Sequence, residues 1–158
     1  MVSLSSAHAQ SFGHRKLAKQ ARQDFILPGY MRLQLRVKQL RARTVGLCEA
    51  PTPLHLKAAR GAYLGTIDAW GRVEMITFGP IAEHNRLERI FFWPDRKGIG
   101  LRQVRRLLAN SRGDPLSAEA LAKMSVAVQG LTALEVLLYG IGSSDLATRA
   151  KADDRCRL

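Results

Sequence analysis

Apolar positions along the chain recur at three- and four-residue steps and nowhere alternate with period two over a useful length, so the pattern predicts helices and no sheet. From about His14 to Cys48 the recurring positions are Leu17, Ala21, Phe25, Met31, Leu35, Leu40 and Leu47, with Arg and Lys on the other face. Pro28-Gly29 predicts a kink or break within that stretch. A second helix is predicted from Thr52-Pro53, with Thr as N-cap and Pro at the first helical position, to about Phe78 before Gly79-Pro80. A helical turn around Asn85 to Phe91, a break at Trp93-Pro94-Asp95 and a short helix from Leu101 to Ala109 follow. Ser117 then opens a last strong helix that closes at Tyr139-Gly140. The fold class implied is all-α, a bundle of antiparallel helices.

Two carboxylates interrupt the apolar stripes. In the second helix the stripe Leu56, Ala59, Tyr63, Ile67 and Trp70 ends at Glu74, and in the last helix Leu121, Met124, Val128, Leu131 and Leu138 enclose Glu135. Each stripe therefore directs a Glu toward the core, where an ionised carboxylate is costly unless it is paired, hydrogen-bonded or bound to a cation. One outcome is a structural ion pair, with Arg72, Arg102 or Arg105 as the partner. The other is a metal or polar-ligand site, with Glu74 and Glu135 facing one cavity between helices.

At 158 residues with 46% apolar content, the chain is long enough for one domain with one core. Its 25 Lys and Arg against 13 Asp and Glu leave a net charge of +12, which attracts nucleic acid, anionic lipid or acidic polysaccharide non-specifically. The basic residues concentrate between Arg15 and Arg43 and after Arg149, which suggests a basic helical face. Cys48 and Cys156 belong to no Cys-x-x-Cys or Cys/His cluster, which excludes a zinc finger; in an oxidising compartment they can form one bridge. Ala7-His8-Ala9 followed by Gln10 has the small-x-small pattern of a signal-peptidase site, so residues 1–9 are a candidate remnant of an export signal. No segment approaches the roughly 20 apolar residues of a transmembrane helix.

Phosphate-binding and nucleophile motifs are missing: there is no Walker A loop and no nucleophile elbow. Gly98-Ile99-Gly100 reads as a turn, and His14, His55 and His84 have no partner at metal-ligand spacing. Arg102, Arg105 and Arg106 read as solvated or ion-paired helix arginines, and Phe91-Phe92-Trp93 as a hydrophobic plug over the bundle.

The blocks AWGRVEMITFGP, NRLERIFFWPDRKGIGLRQV and SVAVQGLTALEVLLYG, in this order, resemble the imelysin-like proteins of bacterial envelopes from about Asp24 to Gly142. That resemblance implies an all-helical domain exported to the periplasm or envelope, an association with iron uptake, and iron or another divalent cation as ligand. Some members were described as metallopeptidases. The family signature G-x-H-x-x-E falls on Gly130, Thr132 and Glu135, so Thr stands at the histidine position, and Thr is a poor ligand for a transition metal. In the stretch from Trp70, Glu74 corresponds to a second carboxylate directed to the same region.

The resemblance implies a binding protein with envelope or iron-uptake partners and no specific nucleic acid. A metallopeptidase-like enzyme and a basic module binding nucleic acid or acidic polymer are the alternatives. It also implies that residues 10–158 are the N-terminal half of a longer helical domain, so that uncovered apolar surface would favour self-association. Export makes a Cys48–Cys156 disulfide an expectation.

Overall fold

The structure, a computed structural model, describes residues 13–110, 116–148 and 156. Ala7-His8-Ala9 and the basic residues from Arg149 onward lie outside them. Helices make up the described chain, and no strand occurs among its described residues.

The first long helix is continuous where a kink or break was predicted. An α-helix, α1 (His14–Gln20), runs through a π-helical segment (Ala21–Ile26) into α2 (Leu27–Glu49). Pro28 lacks an N–H and its ring crowds the carbonyl one turn back, and the wider π turn placed just before it absorbs both defects without ending the helix. The face of α2 that packs inward is Leu33, Leu40 and Leu47; the predicted line holds at Leu40 and Leu47, but its members Leu17, Phe25, Met31 and Leu35 are exposed.

Thr52 caps α3 (Pro53–Gly71) as expected, its Oγ1 accepting the His55 N–H at 3.1 Å with Pro53 at the first helical position. α3 returns along α2, and together they form the principal helix pair. It ends at Gly71 rather than near Phe78, because the chain turns back on itself there: the Val73 and Glu74 N–H groups both bond to the Trp70 carbonyl, at 2.8 and 2.9 Å. That turn drives Val73 and Ile76 into the core. Gly29 of α2 allows the approach, since a Cβ there would lie 2.6 Å from Val73 Cγ1.

After a 3-10 turn (Gly79–Ala82) come α4 (Arg86–Ile90) and α5 (Ile99–Ala109). Asp95 caps α5, its carboxylate accepting the Ile99 and Gly100 N–H groups at 2.6 and 2.9 Å. The predicted last helix is split: Ser117 caps only α6 (Ala118–Ala122), and a 3-10 turn (Val126–Val128) leads to α7 (Gly130–Tyr139). Ser125 causes part of this, its Oγ accepting the Ala127 N–H at 3.3 Å and so initiating a new turn.

α7 lies between two apolar clusters. Leu131 and Leu138 join the main core with Leu40, Leu47, Tyr63 and Trp70, while Ala133 joins Val104 and Val128 in a smaller one. A 3-10 turn (Ser143–Ala147) buries Leu146 against the main core, and a Cys48–Cys156 disulfide spans 108 residues of sequence.

Candidate functional site

The segment Gly130–Glu135 sits against α4 and the residues that follow it. Gly130 has φ +67°, and a Cβ there would overlap the carbonyl oxygens of Arg89 and Ile90, so only glycine lets the start of α7 meet α4 backbone to backbone. Two residues on, Thr132 Oγ1 donates to the Phe92 carbonyl at 3.4 Å. The hydroxyl at this position thus ties α7 to the extended chain after α4.

Glu135 is exposed, not core-facing. The stripe argument failed because α7 is apolar on two sides that serve two different clusters, so a position between apolar neighbours does not have to point inward. Glu135 stands beside a tyrosine pair instead. The rings of Tyr63 and Tyr139 lie 5.6 Å apart at 57°, Tyr63 Oη donates to the Leu131 carbonyl at 3.2 Å, and Tyr139 Oη donates to the Arg60 carbonyl at 2.9 Å. Burial pushes the Tyr63 phenol well above its ordinary range, and the charges of Glu135 and Tyr139 push it further. Burial also raises Tyr139; Arg60 pulls it down and Glu135 pushes it up.

Arg60 completes this cluster. Its Nε donates to the Leu138 carbonyl at 2.8 Å and its guanidinium to Ser143 Oγ at 3.0 Å, with Cζ 5.3 Å from the Tyr139 ring centroid. A cation here satisfies an orphan carbonyl in the last turn of α7 and complements the helix dipole.

Glu74 is exposed as well, beyond the end of α3, and it lies in a different place. It lines a cavity of about 240 Å³ with Trp70, Glu88, Phe91 and Trp93, a set that does not include Glu135. The expectation that the two glutamates face one cavity is thereby corrected. Neither glutamate has an ion pair among the described residues: Arg72 pairs with Asp68 at 3.3 Å and Arg102 donates to the Lys97 carbonyl. The expectation of a structural Arg–Glu pair at these positions is corrected too.

The cavity beside Glu74 holds what the sequence did not reveal. Glu88, from α4, adds a second carboxylate, and its neighbour in space is set by the turn after α3, which no periodicity marks. Phe91 packs on the core as a plug would, but Trp93 is 73% exposed and stacks with Phe91 at 6.4 Å. Trp70 is buried, and its indole Nε1 has no hydrogen-bond partner among the described residues. No group of three or more His, Cys, Asp or Glu side chains among the described residues is placed to hold a metal ion. No helix among them is long and apolar enough to cross a membrane.

The family model described as Imelysin (Peptidase M75) matches residues 26–158. A crystal structure of an imelysin-like protein from Psychrobacter arcticum 273-4 superposes with a TM-score of 0.76 at 25% sequence identity, covering 99% of this chain and 49% of that one. The chain thus spans about half the length of that protein. A search of curated proteins found no match.

Proposed function

The chain belongs to the imelysin family, and from that premise we propose that it is an exported domain of the bacterial cell envelope that binds a small cationic ligand in an iron-related process, without catalysis of its own. The observation that carries this reading is the cavity lined by Glu74 and Glu88 together with the rings of Trp70, Phe91 and Trp93. Carboxylates attract a cation through charge, and aromatic faces add roughly 0.5–2 kcal/mol through their quadrupoles. The family-motif segment supports the wall from behind, through the Gly130 approach to Arg89 and Ile90 and the Thr132 bond to Phe92.

A transition metal held by protein alone takes three or more donors, usually including histidine. The residues present do not fit that requirement: Glu74 and Glu135 lie apart, and the Thr132 hydroxyl is engaged with Phe92. Iron or another divalent cation therefore enters this proposal as cargo that brings its own donors, hydrated or chelated. The same argument weighs against a metallopeptidase, which needs a metal to polarise a carbonyl and activate water.

Two further parts of the proposal concern place and partners. The Cys48–Cys156 disulfide supports an oxidising compartment such as the periplasm. Envelope or iron-uptake proteins are the partners proposed to deliver or receive the ligand. Exposed apolar residues such as Met31, Leu35 and Leu64 favour self-association of this chain.

A thermal-shift titration with ferrous, ferric, zinc and calcium ions, ferric citrate and small organic ammonium ions tests the binding. The parent and Glu135→Gln are expected to melt higher with a binding cation, by ~2.7 kcal/mol of added stability at a hundredfold excess over Kd. Glu74→Gln with Glu88→Gln is expected to abolish the gain. A gain that survives the double variant, or no gain with any cation, would overturn the cavity as the site.

A further inference from the structure

We propose that the groove between the π turn and the segment after α3 binds a single-chain amphipathic anion, an acyl chain ending in a carboxylate. The groove is about 710 Å³, within the range of pockets that hold small molecules. Its floor is Ile26, Leu27, Ile76, Phe78 and Ile81, and its other lining residues include Arg22 and Arg86. Phe78 is 65% exposed and Leu27 45%, so the groove leaves apolar surface in water that an acyl chain would cover.

Charge complementarity selects the head group. Arg22 has no ion pair among the described residues. Arg86 is held in place by donation to the Pro80 carbonyl and by Glu83 at 3.1 Å, which leaves further N–H donors on its guanidinium. Guanidinium groups match a carboxylate in planar, bidentate geometry.

Tyr30 lines the same groove, and its Oη is fully buried, out of reach of a ligand lying in the groove. A long acidic polymer is a poorer occupant, because its sugar or phosphate surface would face an aliphatic and phenyl floor. The site is separate from the cavity at Glu74 and does not depend on the cation reading.

Calorimetric titration of the full chain with laurate below its micellar concentration tests this, beside dodecyltrimethylammonium, which has the same chain and the opposite charge. Saturable one-to-one binding of laurate is expected, with dodecyltrimethylammonium weaker by at least tenfold. Arg22→Gln, a surface change that leaves the fold intact, is expected to weaken laurate about tenfold, or ~1.4 kcal/mol. Tyr30→Phe is expected to leave laurate affinity unchanged while the unliganded melting point stays the same or rises. Glu74→Gln with Glu88→Gln is expected to bind laurate normally, which separates this site from the cation cavity. Equal binding of the two amphiphiles, unchanged affinity in Arg22→Gln, or no saturable laurate binding would overturn the proposal.

Discussion

At the scale of single residues, the motif positions act through backbone geometry more than through side-chain chemistry. Gly130→Ala places a Cβ at positive φ and against two carbonyl oxygens, so a loss of about 2 kcal/mol or more is expected, measured as a lower urea midpoint. Thr132→Ala removes one long hydrogen bond and is expected to cost about 0.5–1 kcal/mol. Tyr63 makes a pH prediction. Its folded pKa lies above the ordinary value of about 10, so the stability it contributes is complete below that pH and is lost as pH rises beyond it. Glu135→Gln removes one of the charges that raise Tyr63, so the variant is expected to lose less stability than the parent between neutral pH and pH above ~10. Identical alkaline melting curves for parent and variant would show that the Glu135 charge does not reach Tyr63. Glycine, threonine and glutamate were all visible in the sequence at these positions; what was not visible is that Gly130 and Thr132 are engaged with α4 and Phe92, since contacts forty residues apart in sequence leave no local periodicity.

At the scale of elements, the caps and the ends at Ala109 and Tyr139 were legible, and the end of α3 was not. Thr52 and Ser117 are caps because their side chains accept N–H groups within one turn, a purely local bond that a local pattern announces. The end of α3 is set by burial of Val73 and Ile76 against the other helices, so the apolar spacing simply continued past it to Glu74. The inward face of α2 was read correctly at Leu40 and Leu47 but not at Met31 and Leu35, for a similar reason: Leu27, Met31, Leu35 and Val45 offer a second apolar face opposite Leu33, Leu40 and Leu47, and period alone cannot rank two faces. The Gly29–Val73 approach gives this scale its test. Gly29→Ala is expected to destabilise by about 1–3 kcal/mol through overpacking, and Val73→Ala in the same chain is expected to recover part of that loss, although alone it leaves a cavity. Strict additivity of the two changes would mean that the helices separate rather than clash.

At the scale of the whole molecule, the disulfide joins the end of α2 to Cys156, the last described residue. Cys48 lies in the last turn of α2, and Cys156 packs on the main core beside it. The all-helical class was legible because it follows from the sum of many local patterns, whereas the cavity at Glu74 arises only when α4, the turn after α3 and Trp93 are brought together. The bridge constrains the unfolded chain across 108 residues of sequence, and its reduction is expected to cost about 2–4 kcal/mol. Urea unfolding with and without a reductant, beside Cys48→Ser with Cys156→Ser, measures this directly. A reduced parent and a serine variant that share one lowered midpoint would assign the loss to the bridge, because the two treatments remove it by different chemistry. Oxidised and reduced chains with the same midpoint would mean that helix packing alone holds Cys156 in place.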